Sequence, residues 1–278
     1  MLVQREKQII CGKEYKEVDI IKAFTNKKMS GRGKKRAVSS PKQQKLNDKN
    51  SRRYFVQLIN ANFVDFRDNL VHLTYEDGKI PKTIEEAERN ARNFIRRINY
   101  ILKKKNKGNC KYICVTSDTS SKSGKLVRVH HHIILSCELS REEILSMWNY
   151  GRININELQG EKDKFHKLCE YLKKNTRSGR RWISSLNLKK PLRTVPNDNK
   201  YTSREIEKLA KAPLNIKYWE RKYPGWTLIN TEDAYIAEYN ELTGWSIYLK
   251  LMRIKDTKKR RADKKHSYYC IKSAHYQE

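Results

Sequence analysis

The chain predicts an α+β fold: an antiparallel sheet with helices packed on one face, a basic N-terminal arm and a mainly helical C-terminal region. Three observations carry this expectation. NLVHLTYED (69–77), KYICVTSD (111–118) and VRVHHHIILS (127–136) are rich in β-branched and aromatic residues, as strands are. Between and after them, apolar residues recur at intervals of three and four, the spacing of one helix face. The resulting order is strand, helix, strand, strand, helix, which suits an antiparallel sheet layered with helices.

Taken from the N-terminus, QIICGKEYKEVDII (8–21) offers one short strand. Residues 26–53 are polar, rich in Lys and Arg, and hold a single acidic residue, Asp48. Such a segment reads as a mobile arm or as one that orders on nucleic acid, so residues 1–53 are assigned to a basic arm. Next, the strand from Asn69 to Tyr75 ends at the turn signal Asp77-Gly78. Thr83 offers a helix N-cap, with Glu86 completing a capping box. Ile84, Ala87, Ala91, Phe94, Ile98 and Ile101 then form one apolar stripe on a helix of about five turns. KYICVTSD and VRVHHHIILS follow as two strands. Ser140 with Glu143 caps a short helix, and RININEL leads from a turn at Gly151 to a helix over about 163–175. Residues 54–195 thus form the expected catalytic domain. After Pro196, amphipathic stretches with Trp219, Trp226 and Trp245 predict a helical region, 196–278, which contains the basic run KKRRADKK.

The charge balance narrows the partners. The 278 residues hold 61 Lys plus Arg against 31 Asp plus Glu, a formal charge of +30. An excess of this size commits a protein to a polyanion, because each basic residue that neutralises a phosphate releases counterions. Nucleic acid is the first candidate. A membrane partner is not expected, since no apolar run approaches the roughly 20 residues needed to span a bilayer. The N-terminal MLVQREKQIICGKEY is charged too early for a secretory signal, so a cytoplasmic location is expected. The six cysteines include no C-x-x-C pair, which argues against a structural zinc site and for reduced, mostly buried thiols. No Walker A loop is present, SKSGKL (121–126) lacking its first glycine and final hydroxyl, and no small-molecule cofactor is expected.

Three of the seven histidines stand together at 130–132. In a strand His130 and His132 share one face, while His131 points to the other. Two imidazoles so placed can share a metal ion, although most such pairs are only polar strand faces. A second element adds to them. On the helix FHKLCEYLKKN, Phe165, Leu168, Cys169 and Leu172 share an apolar face, and Tyr171 lies at its margin near Lys167 and Lys174. A tyrosine there is either a packing residue or a nucleophile whose phenolate is favoured by ammonium groups. Trp182, among Arg177, Arg180 and Arg181, is a candidate to stack on single-stranded bases.

The ordered set HLTYED (72–77), VHHHIIL (129–135) and EYLKKN (170–175) resembles the HUH (histidine, hydrophobe, histidine) endonucleases. The similarity is to the rolling-circle replication initiators of small phages and mobile elements. It extends over residues 54–191 and includes MWNYGRINI and GRRWISSLNLKKP. The resemblance implies a ferredoxin-like antiparallel sheet with the histidines on a central strand. It also implies His130 and His132 as ligands of a divalent metal, Mg or Mn, Tyr171 as nucleophile, and Lys174 as a phosphate-orienting or metal-site lysine. Many relatives take a third ligand, glutamate, from the preceding strand. Here that position is Ser117, followed by Asp118, so Asp118 is the expected substitute, with Glu76 and Asp77 behind it. Lys167 stands where a second tyrosine would, so single-tyrosine chemistry is expected. The implied partners are single-stranded and origin DNA together with a host helicase and polymerase, in a bacterial cytoplasm. A non-catalytic DNA-binding protein of the same fold and a transposase of this type are the competing readings.

Overall fold

The computed structural model describes residues 2–25, 40–119, 126–160, 163–174 and 182–254. Eleven strands among them form two antiparallel sheets. The first sheet holds β3 (Asn69–Thr74), β4 (Lys111–Thr119), β5 (Leu126–Ser136), β6 (Ile153–Glu157) and β7 (Ile183–Ser184), in the order β6-β3-β5-β4-β7. β5, which carries the three histidines, is its central strand. The helix over residues 84–104, α2 (Ile84–Lys104), forms where the apolar stripe requires it. Thr83 accepts from the amide of Glu86, acidic Glu85 and Glu86 occupy its first turn and Lys103 and Lys104 its last, complementing the helix dipole. α3 (Arg141–Leu145) carries the full Ser140–Glu143 capping box.

Strand parity divides the core in two. Val71, Leu73, Val129, Ile133 and Cys114 face α2 and pack against Ala87, Ala91, Phe94 and Ile98. Ile113, Val115 and Ile134 face the opposite way, against α1 (Pro41–Asn62) and α4 (His166–Lys174), where Phe55, Ile59, Phe165, Cys169 and Leu172 are buried. Helices therefore cover both faces of the histidine-bearing sheet, where the sequence suggested one. The reason lies in α1: its first half is exposed and basic, and the apolar positions that bury it begin only at Phe55. Ser40 caps this helix and Pro41 opens it.

The second sheet is the larger departure. β1 (Leu2–Cys11) and β2 (Tyr15–Phe24) form a hairpin of two ten-residue strands where a basic arm was expected; of that arm, only Met1 and residues 26–39 lie outside the described residues. β2 pairs with β11 (Gly244–Arg253), β1 with β8 (Leu192–Arg193), and β11 with both β10 (Tyr235–Asn240) and β9 (Trp226–Leu228). The C-terminal region is thus mixed, with α5 (Ser203–Lys211) and α6 (Ile216–Lys222) packed on the sheet face that carries Val18, Ile20, Ile247 and Leu249. The run KKRRADKK lies outside the described residues.

The two sheets sandwich α1 and α4. Arg53 of α1 donates from Nε to Glu17 (2.5 Å) and through Nη1 and Nη2 to Asp19 (2.9 and 2.6 Å). Gln57 donates to Glu17 (2.7 Å), as does the buried Tyr15 hydroxyl (2.8 Å). These carboxylates explain why β2 hides its strand character: its inward face is acidic, and its counter-charge arrives from a helix far along the chain. All five described cysteines are free, and four are buried.

Candidate metal centre and tyrosine

The antiparallel register assembles the site. His72 of β3 lies directly opposite His132 of β5, and Thr74 opposite His130. Residues opposite one another share a face, so His72 joins His130 and His132 on the side facing α4. One ligating atom from each lies within 4.8 Å of the others. The rings of His72 and His132 stack at 4.6 Å and 2°, while His130 stands edge-on to both, 5.3 Å from His72 and 5.1 Å from His132.

These imidazoles suit a metal ion. The Nε2 atoms of His72 and His132 are buried and have no hydrogen-bond partner, an arrangement that costs free energy unless something else binds them. His130 Nδ1 donates to the carbonyl of Arg128 (3.0 Å), which leaves its Nε2 with a lone pair. Burial, reinforced by His72 and His130, holds the pKa of His132 down to about 3. Burial and His130 lower that of His72 as well. Imidazoles that stay neutral remain available as ligands in mild acid. Two nitrogens bound to one ion at about 2.1 Å lie at most about 4.2 Å apart, so a small inward shift of the rings suffices.

His131 behaves differently. It is completely buried on the opposite face, where Nε2 meets the Tyr75 hydroxyl and Nδ1 the Thr116 hydroxyl, each at 2.9 Å. Both ring nitrogens are satisfied, and burial holds its pKa to about 3. It is a core residue.

Tyr171 projects from α4 with its ring 5.2 Å from that of His132, edge to face, and 43% exposed. The start of α4 is held at several points. Lys164, 2% exposed, pairs with Glu14 (2.6 Å), and its carbonyl accepts from Asn60 (2.8 Å). Lys164 and Phe165 both have positive φ, 48° and 64°, and the Phe165 ring occupies the space beside Gly160 where any Cβ would lie within 2.1 Å of it. His166 Nε2 meets the Tyr15 hydroxyl at 3.1 Å. These contacts aim the helix so that Tyr171 emerges beside the histidines.

Of the residues expected to serve the site, His130, His132 and Tyr171 come together. Lys174 lies in the last turn of α4, and its side chain is outside the described residues, as are Arg177, Arg180 and Arg181. Asp118 sits at an irregularity of β4 between Ser117, which is opposite His130, and Thr119; it is not in the cluster of ligating atoms. Asp77 pairs with Arg128 (2.6 Å) and Glu76 with Lys79 (2.6 Å). His72 is the residue that sequence reasoning missed, and two strands each bearing histidine on a polar face were the available signal. Trp182 packs on Phe55, ring centroids 4.8 Å apart, and is partly buried.

Residues 68–176 match the family model for replication-associated proteins of the ORF2 and gene-2-protein type. The match begins just before β3 and ends just after α4, so it spans every residue of the cluster and Tyr171. It connects this part of the chain with DNA replication and implies interaction with DNA. Searches among curated proteins and solved structures found no match. No described helix is long and apolar enough to cross a membrane.

Proposed function

We propose that the protein is a metal-dependent, single-strand DNA endonuclease and strand-transferase that nicks a replication origin through Tyr171 and so initiates rolling-circle replication. The observation that carries this reading is the placement of Tyr171 against His132, within a trio of imidazoles two of which bury unpartnered nitrogens. His72, His130 and His132 would hold the ion, with Asp118 the nearby carboxylate from which a further ligand would come. A divalent ion bound there supplies positive charge that polarises a phosphate and favours departure of a 3′ oxygen. An all-imidazole set suits manganese better than magnesium, which prefers oxygen ligands.

In the proposed reaction the Tyr171 oxygen forms a bond to a DNA phosphorus as the bond from phosphorus to the 3′ oxygen breaks. The phenolic proton is lost, and the leaving oxygen gains one to become a free 3′-OH. The 5′ phosphate stays on Tyr171 as a phosphodiester, so a later attack by another 3′-OH can rejoin DNA without an external energy source. The exposed ring edge lets a strand reach the oxygen, and the clamped start of α4 fixes its approach. Lys174, three residues on, would orient the phosphate. With Lys167 in place of a second tyrosine, termination requires a second subunit or water. Host helicase and polymerase would extend the freed end.

The competing non-catalytic reading drew on Ser117, where a metal-binding glutamate was expected. His72 supplies a third imidazole and removes that motive. The replication-associated match favours an initiator over a transposase. The test is incubation of the protein with single-stranded oligonucleotides tiling the origin, in Mn²⁺ with and without EDTA, followed by denaturing gels and mass spectrometry of the adduct. A covalent product on Tyr171 that EDTA abolishes is expected, and Tyr171→Phe should bind DNA without forming it. Adduct formation by Tyr171→Phe would refute the assignment.

A further inference from the structure

A groove opens beside the imidazole cluster, between edge strand β6 and helix α4. Leu70, Leu158 and Leu168 form its apolar floor, and Asn156 and Gln159 stand exposed on its rim. Its position follows from register. Leu70 lies two residues before His72 on the same face of β3, about 7 Å along the strand, and pairs with Asn156 across the ladder. Leu168 precedes Tyr171 by three residues, about 4.5 Å along the helix axis. The groove is therefore continuous with the proposed reaction centre on both elements that build it.

Its chemistry selects an occupant. Three leucines offer a surface for the face of a planar, weakly polar group, and the two amides offer both donors and acceptors to its edge. Arg141, also at the groove, is engaged by Glu157 (3.3 Å), so the rim does not present an unopposed cation for a phosphate. A base inside a duplex has neither face free. We propose that this groove holds one unpaired nucleobase of the substrate strand, adjacent to the scissile phosphate, and that Asn156 and Gln159 contact its edge. This inference rests on the reading of Tyr171 as nucleophile, since that residue defines where the scissile phosphate lies.

The test is a binding cycle that does not depend on cleavage. Affinity of Tyr171→Phe protein is measured for single-stranded origin oligonucleotides carrying one abasic site at each position around the nick. One abasic position beside the nick is expected to weaken binding about tenfold. Adding Asn156→Ala, or Leu168→Ala, should reduce that penalty to less than about twofold. Leu168 is partly buried, so Asn156→Ala and Gln159→Ala, both on the exposed rim, carry the test should the leucine variant fold poorly. The proposal is overturned if no single abasic site weakens binding, or if the penalty is the same in the rim variants. Failure of the nucleophile reading is visible separately, as an adduct that persists in Tyr171→Phe.

Discussion

Replacing His72 by valine separates a metal ligand from a structural histidine. The substitution removes one of two buried imidazole nitrogens that have no hydrogen-bond partner. An unsatisfied buried polar group costs about 1–3 kcal/mol. Against that relief stands the lost stacking on His132 at 4.6 Å, worth about 0.5–1.5 kcal/mol. Valine also suits a half-buried strand position. The metal-free variant is therefore expected to match the parent or exceed its stability by about 2 kcal/mol. Manganese reverses the ranking. At a concentration 100 times its Kd, an ion that binds only the folded state adds about 2.7 kcal/mol. For a chain of this size that is a rise in Tm of about 5–10 °C, and the variant, with two imidazoles left, should show little of it. Thermal and urea unfolding with and without Mn²⁺ read both quantities. A metal-free variant weakened by more than about 2 kcal/mol would make His72 structural, and a variant with the parent's full manganese shift would remove it from the ligand set.

Other perturbations probe the surroundings. His131→Leu should cost about 1–3 kcal/mol in urea unfolding, because it strips the buried Tyr75 hydroxyl of its 2.9 Å partner, while leaving the manganese shift intact; unchanged stability would show that this bond contributes nothing. His131 and His132 have folded pKa values near 3 against 6.5 for an unperturbed histidine, so between these values the unfolded chain binds protons that the folded one does not. The metal-free protein should accordingly lose stability as pH falls from about 6.5 toward 3, by up to about 1.4 kcal/mol per pH unit for each histidine. His131→Leu should flatten that slope, and a parent whose stability is level from pH 6.5 to 4 would contradict the burial argument. Arg53→Met leaves the buried carboxylates of Glu17 and Asp19 without their cation and should cost about 3–5 kcal/mol; an unchanged urea midpoint would mean that α1 does not depend on this bridge to the second sheet.

How much of this was legible in the sequence depended on whether a residue's role is decided locally. The five central elements from β3 to α4 could be read because each carries its own periodicity and caps: Thr83 begins α2, and Ser140 with Glu143 begins α3. The second sheet was hidden for a non-local reason. Glu17 and Asp19 sit on the inward face of β2, where a strand would normally place apolar side chains, and only Arg53 makes that tolerable. β11 is a different case: Ile247, Leu249 and Leu251 alternate cleanly and are buried, so a strand period is present there, masked by the aromatic residues around it that suggested amphipathic helix.

The metal site divides along the same line. Parity within β5 is a property of one strand, and it was enough to pair His130 with His132 and to send His131 into the core. The third imidazole depends on which strand lies beside β5 and in what register. A shift of one residue in the β3–β5 ladder would turn His72 toward α2 and Leu73 toward His130. That register is held by burial on the other face, where Val71, Leu73 and Ile133 pack against α2. The hydrophobic core on one side of the sheet thus sets the coordination geometry on the other. A core substitution that loosens the packing of β3 on α2, far from any ligand, should weaken metal binding before it unfolds the protein.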